Sequence, residues 1–330
     1  MENHNFRKYI VGLAICLLLV AGIYKTANAW GFWAHKRINR IAVFTLPKEM
    51  LGFYKANIEY LTEHAVDPDK RRSVDKNEAC RHYIDLDYYG VYPYDSLPRK
   101  WDSAVAKYTE DTLRAHGIVP WHIQVMYYRL TDAFKRLDRD AILHISADIG
   151  HYIADAHVPL HTTMNYNGQL TGQVGLHAFW ESRIPEMFGD NYNYFVGKAK
   201  YTSDPLGTAW KTVLESNNAL DSVLRFEKEL SAQFAEDKKY SFEERGATTV
   251  RVYSREYTAA YNEKLSGMVE RRVRAAIYSV GCIWMSAWVD AGQPDLAKII
   301  EKKLSKEEKK ALEEEEKQYQ QGKYIGRPEE

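Results

Sequence analysis

From His151 to His161 the chain reads His-Tyr-Ile-Ala-Asp-Ala-His-Val-Pro-Leu-His. Residues four apart on an α-helix share a face, so His151 and Asp155 can reach one metal ion. Pro159 then ends the helix and re-aims His161. A second pair, His177 and Glu181 in His-Ala-Phe-Trp-Glu, repeats the four-residue spacing. One such pair reads as a helix-face ion pair or a satisfied core polar group. Two of them close together point to metal ligation. His144 and Asp148 share the spacing one heptad earlier, but nothing else converges on them and they are set aside.

The rest of the chain also carries helical periodicity, with few alternating Val/Ile/Thr runs. The pattern predicts helices over His35–Leu46, Pro120–Leu137, Asp140–His157, Leu206–Phe234, Thr248–Asn262 and Gly267–Ala291. The stretches Asp67–Trp101 and Thr162–Leu176 read as ordered loops rich in turn-forming residues. At 330 residues, 45% of them hydrophobic, the chain can bury a substantial core. No internal repeat or Pro/Gly/Ser linker divides it. The expected architecture is all-α, a single multi-helix domain over residues 30–300. Residues 301–330 follow as a charged tail, whose alternating Lys and Glu blocks predict a solvated helix.

Arg7 and Lys8 precede an apolar stretch from Tyr9 to Tyr24, and Ala27-Asn28-Ala29 closes it with the pattern a signal peptidase accepts. Residues 1–29 thus read as a signal peptide whose removal leaves Trp30 at the terminus. A retained anchor is the alternative, although the run is short for a membrane span. The product is expected to be exported, periplasmic or extracellular. Export permits a disulfide between Cys80 and Cys282, the two cysteines beyond the signal segment. The formal net charge of zero gives no sign of nucleic acid or of an anionic membrane as a partner. Bound metal ions would add positive charge that composition does not count. No obligate protein partner is evident.

The motif His-x-x-x-Asp-x-His-x-Pro-Leu-His followed by His-x-x-x-Glu resembles the S1/P1 nuclease family within the zinc-dependent phospholipase C/P1 nuclease superfamily. Mature members begin with a Trp that binds zinc through its amine and carbonyl, and here cleavage yields Trp30-Gly-Phe-Trp-Ala-His35. The family then requires an Asp and a His in a His-aromatic-Ile-Asp context. Asp67 and His82, the latter in His82-Tyr83-Ile84-Asp85, stand at nuclease-like spacing. By resemblance three Zn²⁺ ions are implied. The first takes Asp67, His82, His151 and one oxygen of Asp155, and the second takes His161, His177 and Glu181. The third takes Trp30, His35 and the other oxygen of Asp155. Zinc lowers the pKa of a bound water to around 7, so the resemblance implies a metal-bound hydroxide as nucleophile, with Asp67 and Asp155 as catalytic ligands.

The resemblance also suggests the substrate. In the nuclease branch an aromatic and an Asp form a base pocket, matched by Tyr83 and Asp85, with ordinary packing as the alternative role. A cation three residues after the ligand Asp contacts the scissile phosphate; Lys70 stands there, where the family usually has Arg. Single-stranded nucleic acid or nucleotides, with endonuclease and 3′-nucleotidase activity, is the primary expectation. Glu181 in place of the usual Asp and a short His161–His177 interval resemble phospholipase C, with phospholipid as substrate. The loop of Tyr88, Tyr89, Tyr92, Tyr94 and Trp101 would suit either surface. A non-catalytic zinc-binding protein with the same ligands is a third reading.

Overall fold

The computed structural model describes residues 31–245, 248–301 and 304–322. The signal segment and Trp30 lie outside them. Helix α1 (Phe32–Ala42) opens the description and runs into a 3₁₀ turn at Val43–Thr45. Helices α2 (Val119–Arg136) and α3 (Arg139–Ala156) form an antiparallel hairpin. Leu137 adopts a left-handed conformation between them, and Asp138 caps α3 by accepting from the Ala141 amide at 3.1 Å. Helix α4 (Pro205–Ser231) starts on a comparable cap, Asp204, which accepts from the Gly207 amide at 2.8 Å.

Two expectations change here. Residues 248–262 are not one helix. Tyr240–Arg245 (β1) and Thr248–Tyr253 (β2) pair antiparallel, with Phe242 opposite Arg251, and helix α5 (Arg255–Lys264) begins only after the Ser254 cap. Thr248-Thr-Val-Arg-Val-Tyr253 is β-branched and alternating, which suits a strand better than a helix. The Asp67–Trp101 stretch in turn holds a short helix, Asp67–Arg71, and 3₁₀ turns at Ala79–Arg81 and Leu86–Tyr89.

Helix α6 (Met268–Asp290) is the centre of the packing and lies against α1, α2 and α3. Its Trp284 is fully buried, with the indole donating to the Ser146 carbonyl at 3.0 Å. Burial of a side chain of this size contributes on the order of 2–3 kcal/mol. The charged tail is helical over Lys306–Gln320 (α7), but it is docked rather than solvated. Arg40 forks onto Glu315 at 2.7 and 2.9 Å, and buried Tyr319 donates to the Gly197 carbonyl at 3.1 Å. Cys80 and Cys282 are both free and buried, so the disulfide that export permits is absent. Among the described residues no helix is long and apolar enough to cross a membrane.

Candidate metal centre

The site forms where α1 crosses α3. Gly150 makes the crossing close: a Cβ there would lie 2.1 Å from the Asn39 side-chain oxygen. Asn39 fixes the contact by donating to the carbonyls of Ala147 (3.0 Å) and Leu61 (3.3 Å). One helical turn back along α1, His35 stacks on His151 with ring centroids 3.8 Å apart.

Asp155, one turn beyond His151 on α3, is wholly buried, and its two oxygens have different partners. One oxygen lies 3.5 Å from His35 Nε2; the other lies 2.8 Å from His82 Nδ1 and 3.2 Å from His151 Nε2. His82 caps the 3₁₀ turn Ala79–Arg81 in a helical backbone conformation, and in the segment after it the Ile84 amide donates to the His161 carbonyl at 2.9 Å. His161 returns the contact, its Nδ1 donating to the His82 carbonyl at 2.7 Å. Glu181 lies on a π-helical turn, Phe179–Arg183, that continues the short helix Leu176–Ala178.

Three sets of side chains converge closely enough to share an ion: His35, Asp69 and His151; His82, His151 and Asp155; and His161, His177 and Glu181. Asp69 was not anticipated. Asp67, the ligand expected from the sequence, is held by His64 (2.5 Å) and Lys70 (2.9 Å) and does not join these sets. Lys70 goes with it. The two aspartates lie on the helix Asp67–Arg71, where two residues differ by about 200° in direction. Turning one of them toward the histidines turns the other away. Asp69 Oδ1 sits 3.7 Å from His151 Nε2 and 3.8 Å from His82 Nδ1. Three residues on, Arg72 lies 3.8 Å from the same oxygen.

The donor set fits a divalent cation such as zinc. Both nitrogens of His35, both oxygens of Asp69 and Glu181, Asp155 Oδ1 and His161 Nε2 are buried without an aligned hydrogen bond. Glu181 lies 2.8 Å from His177 Nε2 and 3.4 Å from His161 Nε2 all the same. Polar atoms crowded together without mutual alignment are arranged around a shared point, and burying them unpaired would be costly. The opposite ring nitrogens are fixed from behind. His151 Nδ1 meets the Ala65 carbonyl at 2.8 Å and His177 Nδ1 that of Tyr166 at 3.0 Å, which leaves each Nε2 for the ion.

Electrostatics agree. Burial alone would lower His151 and His161, but Asp155 with Asp69, and Asp155 with Glu181, outweigh it and raise each imidazole to about 9. Burial pushes Glu181 up, yet His177 and His161 bring it to about 2. Protons thus serve the metal-free chain as counter-charge that a cation would replace. His35 moves the other way, lowered by burial and by His151.

Glu78, also unanticipated, is fully buried behind His82. It accepts from Tyr152 and Arg81 and lies 3.4 Å from His82 Nε2. The set-aside pair belongs to this outer network, since Asp148 accepts from Arg71 at 2.7 Å. At the rim Tyr83 and Asp85 both bond the 116–119 segment, the Asp85 amide donating to the His116 carbonyl at 2.8 Å and the Tyr83 carbonyl accepting from the Val119 amide at 3.2 Å. Tyr83 packs on Gly117, whose positive φ and contact with the Tyr83 carbonyl leave no room for a Cβ. Burial, then Asp85, pushes the Tyr83 phenol up to about 12.

No curated protein matches the chain by sequence. Among solved structures, the alpha-toxin of Clostridium perfringens from avian strain SWCP matches with a TM-score of 0.48 and 16% identity. The match covers 79% of this chain and 65% of that one, so the chain spans less than two thirds of the toxin's length. The family described as S1/P1 Nuclease matches residues 30–281, most of the sequence. The protein therefore belongs to the S1/P1 nuclease family, and its predominantly helical, multi-helix architecture is of the phospholipase C/P1-nuclease type.

Proposed function

We propose that the protein is an exported, zinc-dependent phosphodiesterase that cleaves single-stranded nucleic acid and 3′-nucleotides at a three-zinc centre. Family membership and the clustered ligands already point to a nuclease-type hydrolase. The observation that supports the finer reading is the three converging sets of ligand side chains, in which both oxygens of Asp69 and of Glu181, Asp155 Oδ1 and His161 Nε2 are buried without a hydrogen bond.

His82, His151, Asp69 and one oxygen of Asp155 would hold one zinc, and His161, His177 and Glu181 a second. His35 and the other oxygen of Asp155 would hold a third, with the amine and carbonyl of Trp30. Gly31 supports that last assignment, being buried with its amide donating to Ser182 at 3.0 Å, next in the chain to Glu181. Bound zinc supplies positive charge to the phosphodiester and acidifies water to near neutrality.

The chain's own residues orient the substrate. Arg72, beside Asp69, would contact a phosphate oxygen, the role expected from the sequence for Lys70. This restores the arginine that the family usually shows. Tyr83 offers a face for a base to stack on, and Asp85 an acceptor for its N–H groups.

The test is hydrolysis of bis-p-nitrophenyl phosphate, abolished by a chelator and restored by zinc. It is run beside single-stranded DNA, RNA, 3′-mononucleotides and phosphatidylcholine. Diacylglycerol release without nucleotide release would replace the nuclease reading by phospholipase C. A zinc-loaded protein inert on every phosphodiester would remove catalysis altogether. Mass analysis of the secreted product, with Trp30 first, tests export.

A further inference from the structure

The rim of the site holds a histidine that the metal centre does not use. His116 sits at the C-cap of the helix Glu110–Ala115, its Nδ1 3.3 Å from Asp85 Oδ2. The backbones are joined as well, with the Asp85 amide donating to the His116 carbonyl at 2.8 Å. Tyr88 stacks on the imidazole with ring centroids 3.4 Å apart, and the Tyr88 amide donates back to the Asp85 carbonyl at 3.1 Å. Asp85 and His116 are only half-buried, so a ligand can reach them. Among the described residues no other group bonds the Asp85 carboxylate.

A carboxylate with both oxygens free takes two parallel N–H donors, as the N1–H and N2–H edge of guanine provides. Here His116 occupies Oδ2, and its ring is held by Tyr88. Oδ1 is the one oxygen of Asp85 that no donor among the described residues contacts, and His116 competes for Oδ2. A single acceptor suits one exocyclic amine, as on adenine or cytosine. Guanine would leave one buried N–H unmatched, and uracil presents no amine.

Resting on the nuclease reading, we infer that His116 is a positioning residue for base selection: by holding one oxygen of Asp85 it makes the pocket favour adenine and cytosine over guanine and uracil.

The experiment compares kcat/KM of the zinc-loaded protein on the four 3′-ribonucleotides, for the parent and two variants. His116→Phe keeps the stack on Tyr88 and loses the donor. His116→Asn places an amide N–H near the lost Nδ1 and gives up the stack. The expected parent preference is adenine and cytosine over guanine, about three- to tenfold. In His116→Phe the guanine-to-adenine ratio should rise by a similar factor, through KM, and His116→Asn should bring it back toward the parent value. Thermal melting of both variants shows whether they fold. A ratio that moves in His116→Asn and not in His116→Phe makes the imidazole a packing element and overturns the inference. So does a folded, active pair with the parent ratio, and that result leaves the nuclease reading standing. A parent inactive on all four nucleotides and on nucleic acid removes the nuclease reading, and this inference with it.

Discussion

His151 and Asp155 occupy the last two turns of an 18-residue helix, whereas Glu181 sits on a five-residue π-turn between two short helical pieces. The Asp155 side is built into the core. Its spacing is fixed by helix geometry, its depth by the α1–α3 crossing at Gly150, and its outer partners by Glu78 and Tyr152. The Glu181 side is held by groups from distant sequence. Phe179 stacks on Tyr253 with centroids 3.8 Å apart, and Arg183 forks onto Glu243, so the β1–β2 hairpin grips the turn two residues either side of Glu181. The loop before it is tied down in the same way, with Gln173 donating to buried Glu227 at 2.5 Å. One half of the centre is thus made by local periodicity and the other by long-range bracing. Damage to the two should therefore differ in reach.

Asp155→Asn should have the largest effect. Its oxygens face both His35 and the His82–His151 pair, so zinc content should fall by more than one ion and phosphodiester hydrolysis by more than about a hundredfold. Elemental analysis after dialysis checks this. Glu181→Gln should remove a single zinc and leave the sites on α1 and α3 filled, with less lost activity. Equal losses in the two variants would show that the halves bind metal as one unit, and the contrast would fail.

The same contrast explains what could be read from the sequence. The four-residue spacings on α3 and at His177–Glu181 are geometric statements, and the structure brings those side chains together. Between Asp67 and Asp69 spacing alone did not decide, because both precede His82 by similar intervals. A clue was present, since taking Asp69 as the ligand puts Arg72, rather than Lys70, three residues later. The hairpin was legible in Thr248–Tyr253, yet its role was not, because no pattern in a strand states which turn it will grip. Glu78 and His116 are plain polar residues in a loop. Their roles follow from burial and from the partners that tertiary structure brings to them. The docking of α7, through Glu315 on Arg40 and through Tyr319 on the Gly197 carbonyl, is likewise hidden, as a Lys/Glu-rich helix reads as solvated until a basic partner is placed beside it.

A milder change tests the brace itself. Glu243→Gln breaks the charge pair with Arg183 while keeping the hairpin's shape, and Glu243 is partly exposed, so metal-free stability should fall by less than about 1 kcal/mol. Zinc affinity at the Glu181 side should weaken by about tenfold, the effect usual for an outer partner of a ligand-bearing segment. Competition with a chromogenic chelator measures it, and sites on α1 and α3 should titrate as in the parent. If those sites weaken equally, the hairpin supports the whole centre.

A last effect concerns the core side, appears only on acidification and leaves the metal sites untouched. His122 on α2 is buried edge-on to Tyr152, with centroids 4.5 Å apart, and burial, then Arg81, lowers its pKa from 6.5 to about 3. The folded chain thus keeps this imidazole neutral where the unfolded chain protonates it. Its contribution to stability is complete above pH 6.5 and declines as pH falls toward 3. His122→Phe retains the edge-to-face contact and has no proton to bind. Between pH 7 and pH 5 the metal-free parent should lose about 1–2 kcal/mol more unfolding free energy than the variant. Denaturant titrations of the two proteins at both pH values give that difference directly. Zinc stoichiometry at pH 7 should be the same in both, because Tyr152 separates His122 from His82 and the ligand geometry on α3 is set by the helix. A variant that loses zinc would show that the core side depends on its outer packing as much as the Glu181 side depends on its hairpin.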